Sequence, residues 1–132
     1  MNGYVTNIER ETIDNREFRR VLYTGPNIQL VLMALQPGED IGAEVHEGHD
    51  QFIRVEAGTG VVILDGREAP LVEGSAVVIP ANVKHNIINT SATELLRLYT
   101  LYAPPEHAQG TVHASKRDAE ACLLYTSPSP RD

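Results

Sequence analysis

The chain has 132 residues, the length of a single domain, and its 11 basic against 18 acidic side chains give a formal charge of −7. That sign disfavours the phosphate backbone of nucleic acid as a partner, and 42% hydrophobic with 22% charged residues describes an ordinary globule, neither disordered nor membrane-embedded. Met1-Asn2-Gly3-Tyr4 does not pair a basic region with an apolar stretch, so no export signal is expected and the default location is cytoplasmic.

Short β-branched and aliphatic runs recur between turn signals, and amphipathic periodicity almost nowhere persists for three turns. Strands are predicted at Tyr4 to Ile8, Phe18 to Tyr23, Ile28 to Leu35, Gly42 to His46, Gln51 to Ala57, Gly60 to Leu64, Glu68 to Val72, Ala76 to Ile79, His85 to Asn89 and Leu95 to Tyr102. Asp65-Gly66 is the strongest hairpin signal, since both residues tolerate positive φ in a type I′ turn. Ile28 to Leu35 is apolar on both parities apart from Gln29, so something covers both faces: flanking segments of the same chain, or a second copy in a homodimer. Ser115, three residues before Asp118, starts a short terminal helix over Ser115 to Ala121. The class is all-β, a sandwich or jelly-roll barrel, with residues 1–121 as one domain. Residues 122–132, CLLYTSPSPRD, break the preceding pattern and look like translated adapter read-through, a non-native or disordered tail.

The informative stretch begins at Gly38. Glu44 and His46 lie two apart on an extended segment and share a face, while Val45 points away. Gln51 shares its parity with Ile53, Val55 and Ala57, and His85 shares its own with Ile87 and Asn89, so a mostly apolar lining carries polar groups near one end. Two imidazoles, an amide and a carboxylate form a mixed nitrogen and oxygen set suited to copper, iron, zinc, manganese or nickel rather than calcium or magnesium.

Gly38, five residues, Glu44, Val45, His46, four residues, Gln51, six residues and Gly58 resemble the first cupin motif in every interval, with Glu44 in place of the first His and Gln51 in place of Glu. Gly74, Pro80, His85 and Asn89 resemble the second, with Asn82 at the inner Gly. The resemblance implies a cupin jelly-roll barrel, the double-stranded β-helix, holding one transition-metal ion near its mouth. His46, Gln51 and His85 are then the metal ligands, and Glu44 is a fourth donor or a catalytic acid or base.

Size and ligand types are also similar to small copper-dependent cupins that oxidatively cleave cellulose, so the specific expectation is copper, an oxidoreductase and a carbohydrate or other small-molecule substrate. A polymer substrate would require secretion. A sugar or sugar-phosphate isomerase and a non-catalytic binding module are the alternatives. His49, in the Glu47-Gly48-His49-Asp50 turn, reads as solvated or as a support to the site, and the Ala103 to His113 segment reads as an exposed loop rather than a lid. Phe18-Arg19-Arg20 offers cations for an anionic substrate, but adjacent arginines point to opposite faces of a strand.

Overall fold

A computed structural model describes residues 3–126 of the chain. In chain order it contains α1 (Ile8–Asp14), β1 (Arg19–Thr24), β2 (Gln29–Leu35), β3 (Asp50–Ala57), β4 (Gly60–Leu64), β5 (Arg67–Leu71), β6 (Ala76–Ile79), β7 (His85–Asn89), β8 (Leu96–Ala103), β9 (Val112–His113) and α2 (Lys116–Thr126). Two antiparallel sheets face each other, six strands ordered β6-β3-β8-β2-β1-β9 against three ordered β5-β4-β7. The fold is the expected β jelly-roll with a short C-terminal helix.

Period-two alternation does the sorting. Val31, Met33 and Leu35 of β2 lie opposite Thr100, Leu98 and Leu96 of β8, and Ile53 and Val55 of β3 lie opposite the same Thr100 and Leu98. These side chains are buried and, apart from the polar Thr100, join Val62, Leu71 and Ile87 in one apolar cluster between the sheets. The Asp65-Gly66 hairpin forms as read, with φ of 48° and 83°. Gly58 carries φ 98°, and a Cβ there would come within 2.4 Å of the Leu95 carbonyl oxygen, so the end of the first motif requires glycine for space as well as for angle.

Two elements differ from expectation. Tyr4 to Ile8 is not a strand: residues 3–7 are irregular and lead into α1, whose first turn is capped by Asn7 Oδ1 accepting from the Arg10 amide at 2.9 Å, with Glu9 and Glu11 favouring the positive helix end. This helix packs over the outer face of β8, β3 and β2, where Leu32 and Ala34 are buried. A segment of the same chain therefore accounts for the two-faced apolarity of β2.

Gly42 to His46 is also not a regular strand. The segment pairs with β7 through isolated bridges, Asp40 to Ile88 and Glu44 to His85, with one extra residue between them. Gly42, at φ 101°, occupies this bulge, and its amide donates to Asn86 Oδ1 at 2.9 Å. At the other end of the chain, α2 continues five residues into the segment expected to be a tail, and residues 127–132 lie outside the described residues. No helix among the described residues is long and apolar enough to cross a membrane.

Candidate metal centre

The irregular segment and β7 bring the first two groups together. Glu44 and His85 exchange backbone hydrogen bonds of 2.8 and 2.9 Å, which makes them cross-strand neighbours, and His46 returns to the same face two residues later. The His46 carbonyl accepts from the Asn82 amide at 3.0 Å, and Asn82 takes φ 72° where the motif has glycine. The turn before His85 is thus fastened to the irregular segment bearing His46.

Glu44 Oε1 lies 3.2 Å from His46 Nε2 and 3.9 Å from His85 Nε2. The two imidazole centroids are 5.1 Å apart. Ligand atoms from Glu44, His46 and His85 all fall within 4.8 Å of one another, a cluster that could hold a metal ion. The histidine side chains are nearly enclosed, 10% and 2% exposed, whereas Glu44 is 33% exposed and forms the accessible edge.

Hydrogen-bonding capacity supports the fit. His85 Nδ1 donates to the Val83 carbonyl at 3.0 Å, which leaves Nε2 with its lone pair directed away from the backbone. His46 Nε2, His85 Nε2 and Gln51 Oε1 are all buried without a hydrogen-bond partner. Three orphaned donor atoms are costly in a folded protein, and a bound transition metal would satisfy those that reach it. Gln51, opposite Tyr102 on β8, spends its amide nitrogen on Thr100 Oγ1 at 3.0 Å and keeps its oxygen free.

A further carboxylate takes part that the spacing of the motifs does not announce. Glu106 Oε2 stands 3.5 Å from His46 Nδ1, and its Oε1 stands 3.5 Å from His49 Nε2. His49 Nδ1 donates to the Pro104 carbonyl at 2.8 Å. His49 therefore lies behind Glu106, outside the Glu44, His46 and His85 cluster.

The segment from Ala103 to His107 is not a plain exposed loop. The fully buried Gln29 side chain accepts from the amides of Glu106 at 3.1 Å and His107 at 2.9 Å, and donates to the His107 carbonyl at 2.7 Å and to Thr24 Oγ1 at 2.9 Å. Gln29 was visible in the sequence as the one polar residue in an apolar run; its role as a clamp required the fold.

Electrostatics follows from these placements. Burial alone would lower the His46 pKa, but the Glu106 and Glu44 carboxylates outweigh it and hold the imidazole up at about 9. Burial works against ionisation of Glu106 as well, yet His46 keeps its carboxyl below the usual range. Burial, reinforced by Glu44, raises the Tyr102 phenol, so this ring remains protonated where it meets His46 edge-on at 5.6 Å. Tyr99, on the opposite parity, pairs instead with Phe52 at 6.4 Å.

Comparison with known proteins agrees with the barrel. The cupin domain family matches residues 31–102. The chain is 47% identical over 124 residues to the uncharacterised protein YrkC of Bacillus subtilis (strain 168), covering 89% of this chain and 66% of that protein. It is 46% identical over 112 residues to the uncharacterised protein L612 of Acanthamoeba polyphaga mimivirus, covering 83% of this chain and 70% of that one. The chain thus spans just under two thirds of YrkC. The crystal structure of BH2720 from Bacillus halodurans superposes with a TM-score of 0.85 at 46% identity, covering 89% of this chain and 93% of that chain. The chain belongs to the cupin family, with Glu44, His46 and His85 gathered where a metal could bind.

Proposed function

We propose that this cupin is a metal-dependent oxidoreductase acting on a small molecule, with His46, His85 and Glu44 as the metal-binding set and Gln51 as an additional oxygen donor. The observation that carries this reading is the convergence of two orphaned imidazole nitrogens on one carboxylate oxygen. A redox-active ion held there would supply oxygen or peroxide activation. Copper is favoured when Glu44 stands outside the set and the ligands are neutral. With Glu44 Oε1 at 3.2 and 3.9 Å from the two imidazoles, the set carries one negative charge and is similar to the two-histidine, one-carboxylate arrangement of non-haem iron oxygenases, so iron takes first place in this proposal.

The surrounding residues have definable tasks. Glu106 faces His46 Nδ1 and would hold the ring with Nε2 toward the ion, whose binding displaces the proton that the imidazole otherwise keeps up to about pH 9. His49, 23% exposed and facing the same carboxylate, can pass a proton between solvent and Glu106. Tyr102, kept protonated by burial, does not serve as a base. The nearly enclosed histidines favour a small substrate over a polymer chain, which needs an open surface. A homodimer is part of the proposal and is checked by light scattering.

The test is elemental analysis and electron paramagnetic resonance on protein purified without chelators, with oxygen or peroxide consumption as the activity readout. Iron or copper held by the parent and lost in His46→Ala and His85→Ala supports the reading. Zinc without redox turnover transfers the site to proton-transfer chemistry of the isomerase type, and failure to retain or take up any transition metal removes the proposal in favour of a binding module.

A further inference from the structure

The two adjacent arginines of β1 have different surroundings. Arg20 lies opposite Leu32 on the outer face, and its half-exposed side chain is 3.6 Å from Glu17. Arg19 has the parity of Val21, which lies opposite the core residue Val31, so it turns toward the barrel interior and is only 8% exposed.

There the guanidinium has no carboxylate partner among the described residues. Its Nη1 donates to His113 Nδ1 at 3.2 Å, its Cζ lies 5.2 Å from the Phe18 ring centroid, and its Nε is buried without a hydrogen-bond partner. A buried cation with no counter-charge is expensive, and the planar fork of arginine fits a carboxylate better than any other common group.

Neighbouring groups give this cation a direction. His107 Nε2 is also buried and unpartnered, and its ring meets Tyr102 edge-on at 5.2 Å. Tyr102 in turn meets His46 at 5.6 Å. Tyr102 therefore meets both His107 and His46, and a line of rings runs from His107 to the metal-binding cluster. Both carboxylates of the centre, Glu44 and Glu106, face histidines rather than Arg19.

We propose that Arg19 anchors a carboxylate carried by the small molecule handled at the metal centre, received across Tyr102 with His107 as an additional ring-nitrogen partner. What the far end of that molecule meets rests on the metal-centre reading; the anchor rests on the burial and missing counter-charge of Arg19.

Propionate, with propionamide as its uncharged isostere, is titrated into the 132-residue chain as purified. The readouts are the ¹⁵N side-chain Nε–H resonance of Arg19 and the melting temperature. Propionate is expected to shift that resonance and raise the melting temperature, propionamide to do neither, and Arg19→Met to weaken propionate binding by about tenfold or more. Arg19→Lys retains part of the response. Equal effects of acid and amide, or an unmoved Arg19 resonance, overturn the assignment without any variant having to fold. Undiminished propionate binding by Arg19→Met overturns it as well. Metal retention is measured on the same samples: an Arg19 response without retained metal sinks the centre and leaves the anchor, while retained metal without an Arg19 response sinks the anchor alone.

Discussion

The two ends of the barrel are built from the same strands and obey opposite rules. At one end the inward positions are Leu35, Val55, Leu96 and Leu98, all buried and apolar. At the other, the same strands present Gln29, Gln51, Thr100 and Tyr102 beside His46 and His85. The apolar end needs only volume and dispersion contacts. The polar end keeps buried nitrogen and oxygen atoms without partners, which folding alone does not reward. Stability and binding are thereby separated along each strand.

That separation can be broken by substitution. The largest effect is expected from His46→Ala or His85→Ala, each of which should reduce bound metal to background while the barrel still unfolds in one cooperative transition, because the apolar cluster is untouched. Elemental analysis paired with a melting curve checks both halves. Leu98→Ala, at a fully buried position, should do the reverse, costing about 2–5 kcal/mol of unfolding free energy in a denaturant titration with the metal content of the folded fraction preserved.

Glu106→Gln comes next: with the carboxylate behind His46 gone, metal affinity should fall about 10- to 100-fold in a competition assay. Gln51→Ala should weaken binding less than either histidine variant, since an amide oxygen is the poorer ligand for these ions.

A pH dependence at the polar end is read in stability rather than in metal content. Burial, with Arg19 adding to it, lowers the His107 pKa from 6.5 to about 3. Between these values the unfolded chain takes up a proton that the folded chain refuses, so this contribution to stability is complete above pH 6.5 and is lost progressively as pH falls toward 3. His107→Gln should flatten the acid limb of the stability curve; an unchanged slope would show that His107 is not buried as neutral imidazole.

The apolar end was the more legible in the sequence, because alternation of side chains is all it requires. Inward parities for Ile53, Val55 and Ile87 follow from counting by twos, and the Asp65-Gly66 hairpin follows from its φ requirement. Helix α1 was missed because Val5 and Ile8 were weighed as strand formers while Asn7, followed by Glu9 and Glu11, was signalling a helix start. The bulge at Gly42 breaks a segment that reads as a continuous strand, since an extra residue leaves no mark on composition.

At the polar end, the spacing of Glu44 and His46 showed that they share a face, and the cluster with His85 formed as a cross-strand neighbourhood. Glu106 and the clamp role of Gln29 were not legible, because Glu106 acts 60 residues from His46 and 77 from Gln29 in the chain, through a backbone path that only the closed barrel defines.

The four hydrogen bonds of Gln29 make the segment over the mouth an outgrowth of β2 rather than an independent flap. A carboxamide outside the Glu44, His46 and His85 cluster therefore sets how far Glu106 stands from the imidazole it faces. Random mutagenesis screens for lost metal binding should accordingly score position 29 alongside the proposed donor set, and a shift of β2 by a fraction of an ångström would move Glu106 before it was felt in the melting curve.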